Sequence, residues 1–394
     1  MNRYTVLAAV LAALISLIGA PGSAHAAQRM VVTFTGDIMM HTAVKESAAQ
    51  NNRPGEGGAG SANNGGFDFL FDRIRPHLAD SDVVLGNMEF PVSPPFRHGK
   101  GVIFNCAPEI IPAMHAAGFT LFTLANNHIL DQGNRGAIDT MDYLQRYAAS
   151  FIGVNRHEGT ARRGIVVQIH GIRVGFLAYT GILNYGFPVR PRGLHVNWLY
   201  WRNKTAADIR AMRARCDFVV VVSHAGKEYK IRPETEDMRA YRDSCEAGAD
   251  LVIGHHPHVL QPVEAYTAAD GRSCRIFYSL GNFISNQRFK YHDHLRTLPY
   301  TTQETVLVRL VLERAWRGGL AARYEVLPLW TENEIYREDG RERRRIQVWR
   351  MNERIEALER DGATGRAAYL RQRLDDIPKI LFPESRPADV TYVR

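Results

Sequence analysis

Cysteine is scarce in this chain, which has four cysteines among 394 residues. So low a content excludes a small scaffold held together by many disulfides. No two of them have the Cys-x-x-Cys spacing of a redox motif or a zinc ribbon, and they are Cys106, Cys216, Cys245 and Cys274. Four cysteines can pair in three ways, so the sequence leaves the pairing open. Buried free thiols are an equally good interpretation.

Two widespread catalytic signatures and a strong charge bias are also missing. The sequence has no G-x-S-x-G nucleophile turn and no P-loop, which narrows an enzymatic interpretation to metal-assisted chemistry. Lysine and arginine number 49 against 41 acidic residues, a formal net charge of +8. This mild surplus tolerates an anionic substrate but does not by itself indicate nucleic-acid binding, which we do not expect.

The N-terminus has the three-part layout of a secretory signal. A positive start at Arg3 precedes an apolar run over residues 5–20, Pro21 then breaks any helix, and Ala-His-Ala at residues 24–26 forms a small-x-small cleavage site. We therefore predict a signal peptide over residues 1–26 and an exported chain that is periplasmic or associated with the cell envelope. An uncleaved anchor is the alternative, although the run is shorter than the roughly 20 residues that span a membrane.

Short apolar strands alternate with helical stretches after this leader, which predicts an α/β layered fold over residues 27–330. Residues 331–394 are predicted to form a charged helical C-terminal extension. Within it, residues 341–360 carry many arginines and glutamates beside one narrow apolar stripe, which favours a solvated helix lying on the main domain. The stripe comprises Val348, Met351, Ile355 and Leu358.

Side chains of the kinds that bind metals recur just after the predicted strands. Each follows an apolar strand and a glycine or asparagine, and the six are Asp37, Glu89, Asn127, His224, His256 and His258. Taken singly, each has an ordinary explanation, such as a helix N-cap or a turn. Their repetition in one pattern favours a shared site, because the carboxyl ends of strands form the ligand-binding edge of an open α/β sheet.

Carboxylate, amide and imidazole groups together suit a metal centre. They bind zinc, manganese or iron, and one bridging carboxylate can hold two ions. With two metals, bound water becomes a nucleophile near neutral pH, and His128 is placed to protonate a leaving group. With an empty or single-metal site, the same cavity could instead hold an anionic polymer.

The motifs at these strand ends resemble those of the CapA family. The most specific are Asn-Asn-His-x-x-Asp-x-Gly at residues 126–133 and Gly-His-His-Pro-His-Val-Leu-Gln at residues 254–261. They occur in order with Thr-Gly-Asp at 35–37, Gly-Asn-Met-Glu at 86–89 and Gly-Asn-Phe at 281–283. That family is associated with the synthesis or export of poly-γ-glutamate capsules, and it is a divergent branch of the calcineurin-like metallophosphatases.

The resemblance implies a four-layer α/β/β/α sandwich of metallophosphatase type, with the site at one edge of its two sheets. It implies that His128 is the general acid or phosphate-binding group and that the cofactor is a divalent metal, Mn, Fe or Zn. The implied metal ligands are Asp37, Glu89 in the bridging position, Asn127, His224, His256 and His258. The residues implied to orient them are Asp131, Glu228 and Asn282. Met39 stands where ordinary metallophosphatases have a further ligand histidine, and His255 is not expected to be a ligand.

Two functions follow from these observations. The first is an exported metal-dependent hydrolase or transferase in the synthesis, export or processing of poly-γ-glutamate or a related anionic envelope polymer. A membrane-bound polymer synthase is then a candidate partner. The second is a non-catalytic envelope component that binds the polymer through a degenerate metal site. A secreted α/β protein with purely structural histidines is the least favoured interpretation, because it leaves six matching strand ends unexplained.

Overall fold

The structure is a computed structural model that describes residues 28–52, 64–96, 102–184, 193–293, 298–315 and 319–394. The predicted signal peptide lies outside these ranges. Within them, no helix combines the length and the apolar character needed to cross a membrane.

Helices and strands alternate along the described residues. The helices are α1 (Thr42–Gln50), α2 (Asp68–Phe71), α3 (Arg75–Leu78), α4 (Ile110–Ala117), α5 (Gly133–Arg146), α6 (Glu158–Arg163), α7 (Arg202–Arg213), α8 (Thr235–Ala247), α9 (Met351–Arg360) and α10 (Thr364–Leu381). The first strands are β1 (Gln28–Ile38), β2 (Val83–Met88), β3 (Leu121–Thr123), β4 (Ser150–Ile152), β5 (Val154–Asn155), β6 (Ile165–Ile169), β7 (Ile172–Thr180), β8 (His195–Val196), β9 (Phe218–His224) and β10 (Leu251–His255). The remaining strands are β11 (Val263–Thr267), β12 (Ser273–Phe277), β13 (Asn282–Ile284), β14 (Lys290–Asp293), β15 (Leu298–Thr301), β16 (Glu304–Arg314), β17 (Leu320–Glu338), β18 (Arg341–Arg350) and β19 (Val390–Tyr392).

Two sheets contain most of the strands. The larger sheet has nine, in the order β18-β17-β16-β1-β2-β3-β4, with β13 beside β1 and β19 beside β17. The smaller sheet has six, in the order β11-β12-β10-β9-β7-β6. The central strands of each sheet are parallel, namely β1, β2 and β3 in the larger and β7, β9 and β10 in the smaller. Parallel strands bring their carboxyl ends to the same edge of a sheet.

The two sheets pack face to face between two layers of helices. Strand β9 shows how alternate side chains divide between the layers: Val220 packs with Phe34 in the core between the sheets, whereas Val219 packs with Ile209 of α7 on the outer side. This alternation is the period of two that a strand imposes. A third core joins the outer face of the larger sheet to α1, α4 and α5. The layers confirm the predicted α/β/β/α sandwich.

The C-terminal region differs from its sequence prediction. Residues 341–350, predicted as the first half of a helix, form β18, which pairs with β17 from Leu329 opposite Arg350 to Glu338 opposite Arg341. Asp339 and Gly340 between the strands have φ of 50° and 73°, the positive values that a two-residue hairpin turn of the type I′ class requires. This Asp-Gly hairpin outweighs the helix propensity of the arginine-rich stretch. The predicted boundary after residue 330 falls inside β17.

The second half of the predicted helix is present as α9 but is not a solvated surface element. Met351, Ile355 and Leu358 form the predicted stripe, and they belong to the same buried cluster as the core between the sheets. Val348 lies on β18 and packs into the core of the outer helices instead. Helix α10 joins α9 in the central cluster. The C-terminal residues are therefore an integral part of the sandwich.

The described cysteines form one disulfide and leave two thiols free, which is none of the three complete pairings. Cys245 at the end of α8 is bonded to Cys274 on β12, with their Cα atoms 5.9 Å apart. Cys106 and Cys216 are buried free thiols. The disulfide therefore fastens a helix of the outer layer to an outer strand of the smaller sheet.

A buried ion cluster fixes α10 to the larger sheet. The guanidinium of Arg373 pairs with both carboxylate oxygens of Glu304 on β16. It also donates to Asp376 Oδ2 at 2.9 Å and to the Pro299 carbonyl at 2.7 Å. Arg373 and Glu304 are both fully buried. Satisfied charges at this depth hold one geometry, because either charge alone would be costly to bury.

We expect Arg373→Ala to lower the free energy of unfolding by about 3–5 kcal/mol, because it leaves the Glu304 carboxylate buried without a counter-charge. Urea denaturation of the purified chain measures this. Arg371→Ala is the matched control, since Arg371 lies on the same helix, is 56% exposed and forms a surface ion pair with Glu359. Its effect should stay within about 0.5 kcal/mol. Equal effects of the two substitutions would contradict a stabilising role for the buried ion cluster.

Candidate metal centre

The strand registers bring the predicted motifs together at one edge of the sandwich. Asp37 of β1 lies opposite Asn87 of β2 and Asn282 of β13 in the larger sheet. His224 of β9 lies opposite His255 of β10 in the smaller sheet. The end of β1 fits only a glycine at position 36, because an added Cβ there would lie 2.1 Å from the Gly281 carbonyl oxygen.

Asp37 is a fully buried carboxylate with partners on both oxygens. Asn87 Nδ2 donates to Oδ1 at 2.8 Å. His255 Nδ1 lies 3.0 Å from Oδ1, and His258 Nδ1 lies 3.0 Å from Oδ2. Burial alone would raise the pKa of Asp37, but hydrogen bonds and charge from His255 and His258 hold this pKa well below its usual value. Asp37 is therefore ionised and fixed in orientation.

Glu89 is the opposite case, because it is fully buried and neither carboxylate oxygen has a hydrogen-bond partner among the described residues. Three imidazole Nε2 atoms surround its Oε1 at distances longer than a hydrogen bond: His224 at 3.6 Å, His128 at 3.9 Å and His258 at 3.9 Å. Burial raises the pKa of Glu89 well above its usual value, and the Asp37 charge raises it further. A carboxylate left unpaired at this depth among ring nitrogens fits a cation site.

The potential ligand atoms fall into overlapping groups. Glu89, His224 and His256 offer atoms that lie within 4.8 Å of one another, and so do Asp37, Glu89 and His258. Glu89 is common to both groups, which is the arrangement expected of a bridging carboxylate. A third group joins His256 and His258 to Glu228, an exposed residue. The donor set of carboxylates and imidazoles fits a divalent metal.

Two histidines of the centre, His224 and His256, are neutral, as metal ligands must be. Burial, together with the neighbouring His258, lowers the pKa of His256 to about 3. Burial likewise holds the pKa of His224 well below its usual value. His256 and His258 also have positive φ values of 97° and 58°. Strained backbone of this kind persists where surrounding contacts enforce it, and it clusters at functional sites.

Asn127 and His128 approach the centre from the loop after β3. His224 Nε2 and Asn127 Oδ1 are 2.8 Å apart. His128 Nδ1 lies 2.7 Å from Asp131 Oδ2, and a carboxylate only accepts hydrogen bonds. The proton is therefore on Nδ1, and His128 Nε2 presents its lone pair towards Glu89. Asp131 also accepts from the Phe104 backbone at 2.6 Å, so it holds His128 in one orientation.

Two predicted orienting residues occupy less central positions. Glu228 is exposed at the margin of the centre. Asn282 is buried behind Asp37, and its amide donates to Gln287 Oε1 at 2.9 Å and to the Thr302 carbonyl at 3.2 Å. Met39 is buried against the outer helices. At the position where ordinary metallophosphatases have a further ligand histidine, this chain therefore has a residue of the hydrophobic core.

Three further residues contribute to the centre without having been singled out as contributors. Asn87 touches both Asp37 and His224 Nδ1, the latter at 3.1 Å. Asn184 accepts from Asn127 Nδ2 at 3.0 Å and lies 3.2 Å from His128 Nδ1. His255, which was not expected to be a ligand, lies with Nδ1 3.0 Å from Asp37 Oδ1, and neither of its ring nitrogens has a hydrogen bond of good geometry among the described residues. Asn87 and His255 carried a signal, because each lies within a strand-end motif, whereas Asn184 follows β7 without one.

The comparisons with known proteins agree with this motif set. Residues 31–287 match the family described as bacterial capsule synthesis protein PGA_cap. A capsule biosynthesis protein CapA of Bacillus anthracis is 30% identical over 66% of this chain and 61% of its own length. A PGA biosynthesis protein CapA of Bacillus subtilis is 29% identical over 75% of this chain and 70% of its own length.

One solved structure similar to this chain is that of a Staphylococcus aureus protein described as a 5′-nucleotidase, in complex with α-ketoglutarate. It is 13% identical, with a TM-score of 0.46, and the match covers 79% of this chain and 56% of that chain.

We expect Asp37→Ala and His256→Ala each to remove bound metal without unfolding the protein, because each deletes a ligand but leaves the sheets intact. Elemental analysis of the purified chain measures metal content, and circular dichroism monitors the fold. His115→Ala is the control, since His115 is exposed on α4. Unchanged metal content in both ligand variants would exclude the assigned centre.

Glu89→Gln should abolish metal binding and yet stabilise the metal-free protein, by about 1–3 kcal/mol at neutral pH. A carboxyl whose pKa is raised by folding stabilises least once the pH exceeds that pKa, because the charged form is then buried. The stabilisation by Gln should therefore grow from pH 5 to pH 8 in urea denaturation with a chelator present. A gain that shrinks as pH rises would contradict the raised pKa of Glu89.

Proposed function

Because the chain belongs to the family of bacterial capsule synthesis proteins, PGA_cap, we propose that it is a metal-dependent hydrolase or transferase acting on poly-γ-glutamate or a related anionic envelope polymer. The names of the Bacillus relatives refer to capsule and PGA biosynthesis, which is the source of the proposed polymer. The observation that carries the proposed chemistry is the unpaired Glu89 carboxylate among three imidazole nitrogens.

The donor set determines which cation the centre suits. Carboxylates, imidazoles and an amide oxygen favour manganese, iron or zinc. The residues that would hold the cation are Asp37, Glu89, Asn127, His224, His256 and His258. A bound divalent cation would polarise a substrate oxygen and lower the pKa of bound water.

His128 is the proton-transfer group of the proposed reaction. Asp131 holds its Nδ1 proton, so Nε2 is the atom that faces the site. Asn184 lies 3.2 Å from His128 Nδ1 and also accepts a hydrogen bond from Asn127. When His128 is protonated, Nε2 can give a proton to the departing amine or alkoxide, and the Asp131 carboxylate stabilises the imidazolium that exists beforehand. The buried position of His128 keeps competing water away.

Export is the second part of the proposal. The signal-like residues 1–26 direct the chain out of the cytoplasm. The Cys245–Cys274 bond supports an oxidising compartment, because disulfides are rare where thiols are kept reduced. The periplasm or the cell envelope is therefore the proposed location, where a membrane-bound polymer synthase would be a neighbour.

A non-catalytic polymer-binding role is the second candidate, and Met39 favours it. In its place ordinary metallophosphatases have a ligand histidine, whereas Met39 is buried in the hydrophobic core. With one ligand fewer, the site would bind one of its two metal ions more weakly. The chain would then hold the polymer during synthesis or export without cleaving it.

We expect His128→Gln to lower the rate of the proposed reaction by about 10²–10⁴-fold, as loss of a general acid does, while metal content stays unchanged. The assay uses the metal-loaded chain with poly-γ-glutamate, following new amino groups, and with phosphoesters, following phosphate. His115→Gln is the control. A His128→Gln protein as active as the wild type would contradict the assigned role. Tight polymer binding with no turnover of any substrate would favour the binding role.

A further inference from the structure

A large groove lies beside the candidate metal centre and opens on the C-terminal part of the chain. Its volume is about 1220 Å³. It is bordered by the segment from Gln287 to Lys290, by Trp330 on β17, by Arg344 on β18 and by Tyr369 on α10. Most of these residues follow residue 287, where the family match ends. The groove is therefore formed mainly by residues outside the family match.

Tyr229 joins the groove to the metal centre. Its ring lies near the His258 ring, with centroids 6.0 Å apart, and stacks on the Tyr291 ring with centroids 5.6 Å apart. Gln287 donates to the Tyr229 hydroxyl at 3.0 Å and also borders the groove. A chain lying in the groove would thus have one end within reach of the candidate ligands.

Within the described ranges, the carboxylates that line the groove have ion-pair partners, whereas several of its cations do not. Its two carboxylates are paired: Glu332 with Arg354 at 2.5 Å and Arg366 at 2.7 Å, and Glu334 with Arg366 at 2.9 Å. Three cations have no carboxylate partner among the described residues, and they are Arg288, Lys290 and Arg344. Arg344 instead donates to the amide oxygen of Asn286 at 2.9 Å. The groove therefore has surplus positive charge.

Apolar surface accompanies these cations. The Phe289 side chain is 49% exposed and meets the Tyr229 ring edge-on, with centroids 5.5 Å apart. Lys290 lies over the Tyr369 ring at 4.8 Å. The groove thus combines cations with aromatic side chains. A ligand that matches it carries several anions on a partly apolar main chain.

We infer that this groove binds a segment of the anionic polymer and delivers it to the metal centre. Each γ-linked glutamate unit has one free carboxylate, and its main chain includes two methylene groups between amides. The carboxylates would pair with Arg288, Lys290 and Arg344, while the methylenes would lie on the aromatic faces. This inference rests on the proposed function, which supplies the polymer as substrate.

The test measures polymer binding rather than turnover. Fluorescently labelled poly-γ-glutamate is titrated with the metal-loaded chain, and anisotropy gives Kd at fixed ionic strength. The groove variant replaces Arg288, Lys290 and Arg344 with glutamine, and we expect its Kd to rise about tenfold or more. A double variant at the two exposed positions, Arg288 and Lys290, should show part of the same loss and leaves the contact of Arg344 intact.

A matched control removes the same charge elsewhere. Arg163, Arg215 and Arg239 are exposed on the helical layer of the smaller sheet, and their replacement by glutamine should change Kd by less than about twofold at physiological salt, where distant charges are screened. If both triple variants weakened binding equally, the inference that the groove binds the polymer would be wrong, because net charge alone would then explain the affinity.

The outcomes also separate this inference from the proposed function. If the wild type binds the polymer and the groove variants bind it as tightly, the groove is not the polymer-binding site. The proposed function is then unaffected. If the wild type does not bind the polymer at all, the proposed substrate is wrong and the groove inference falls with it. An Asp37→Ala protein that loses metal but keeps the wild-type Kd would support a polymer site separate from the ligands.

Discussion

The candidate site depends on one costly arrangement, the Glu89 carboxylate buried without a hydrogen-bond partner. An unpaired carboxylate at this depth opposes folding, and burial accordingly raises its pKa. The surrounding imidazoles do not relieve the cost, because they lie beyond hydrogen-bond distance and burial keeps His224 and His256 neutral. A divalent cation would relieve it, since it makes the charged form of Glu89 favourable and uses the lone pairs of the neutral rings.

Such an arrangement persists only on a rigid frame. Asp37 supplies part of that frame, because it is held by Asn87 of a neighbouring strand and by two histidines of the other sheet. The parallel registers at β1–β2 and β9–β10 place these groups, and the core between the sheets fixes the distance between the two strand edges. The packing of the two sheets thus offsets the free-energy cost of burying the unpaired carboxylate.

The sequence predicts those features of the site that depend on residues adjacent in the chain. Each strand-end motif is readable because an apolar run, a turn residue and a ligand-type side chain are adjacent in the chain, and the ligand candidates that share Glu89 come from such motifs. Asn184 was not predictable, because it reaches Asn127 and His128 from 57 and 56 residues away through tertiary folding alone. The helix predicted over residues 341–350 was wrong for a local reason: the Asp339-Gly340 turn specifies a hairpin, and the surrounding arginines obscured the alternation of Ile346 and Val348.

The error in the C-terminal region bears directly on function. A detached charged helix could be removed without consequence for the site, whereas β17, α9 and α10 share the central core, α10 is tied to it by Arg373 and Glu304, and β18 packs into the core of the outer helices. The same elements form one wall of the groove that begins at Tyr229. Because that wall is built on the core, its cation Arg344 is held at a fixed position relative to the metal ligands. A polymer carboxylate that pairs with Arg344 would then lie at a set distance from those ligands.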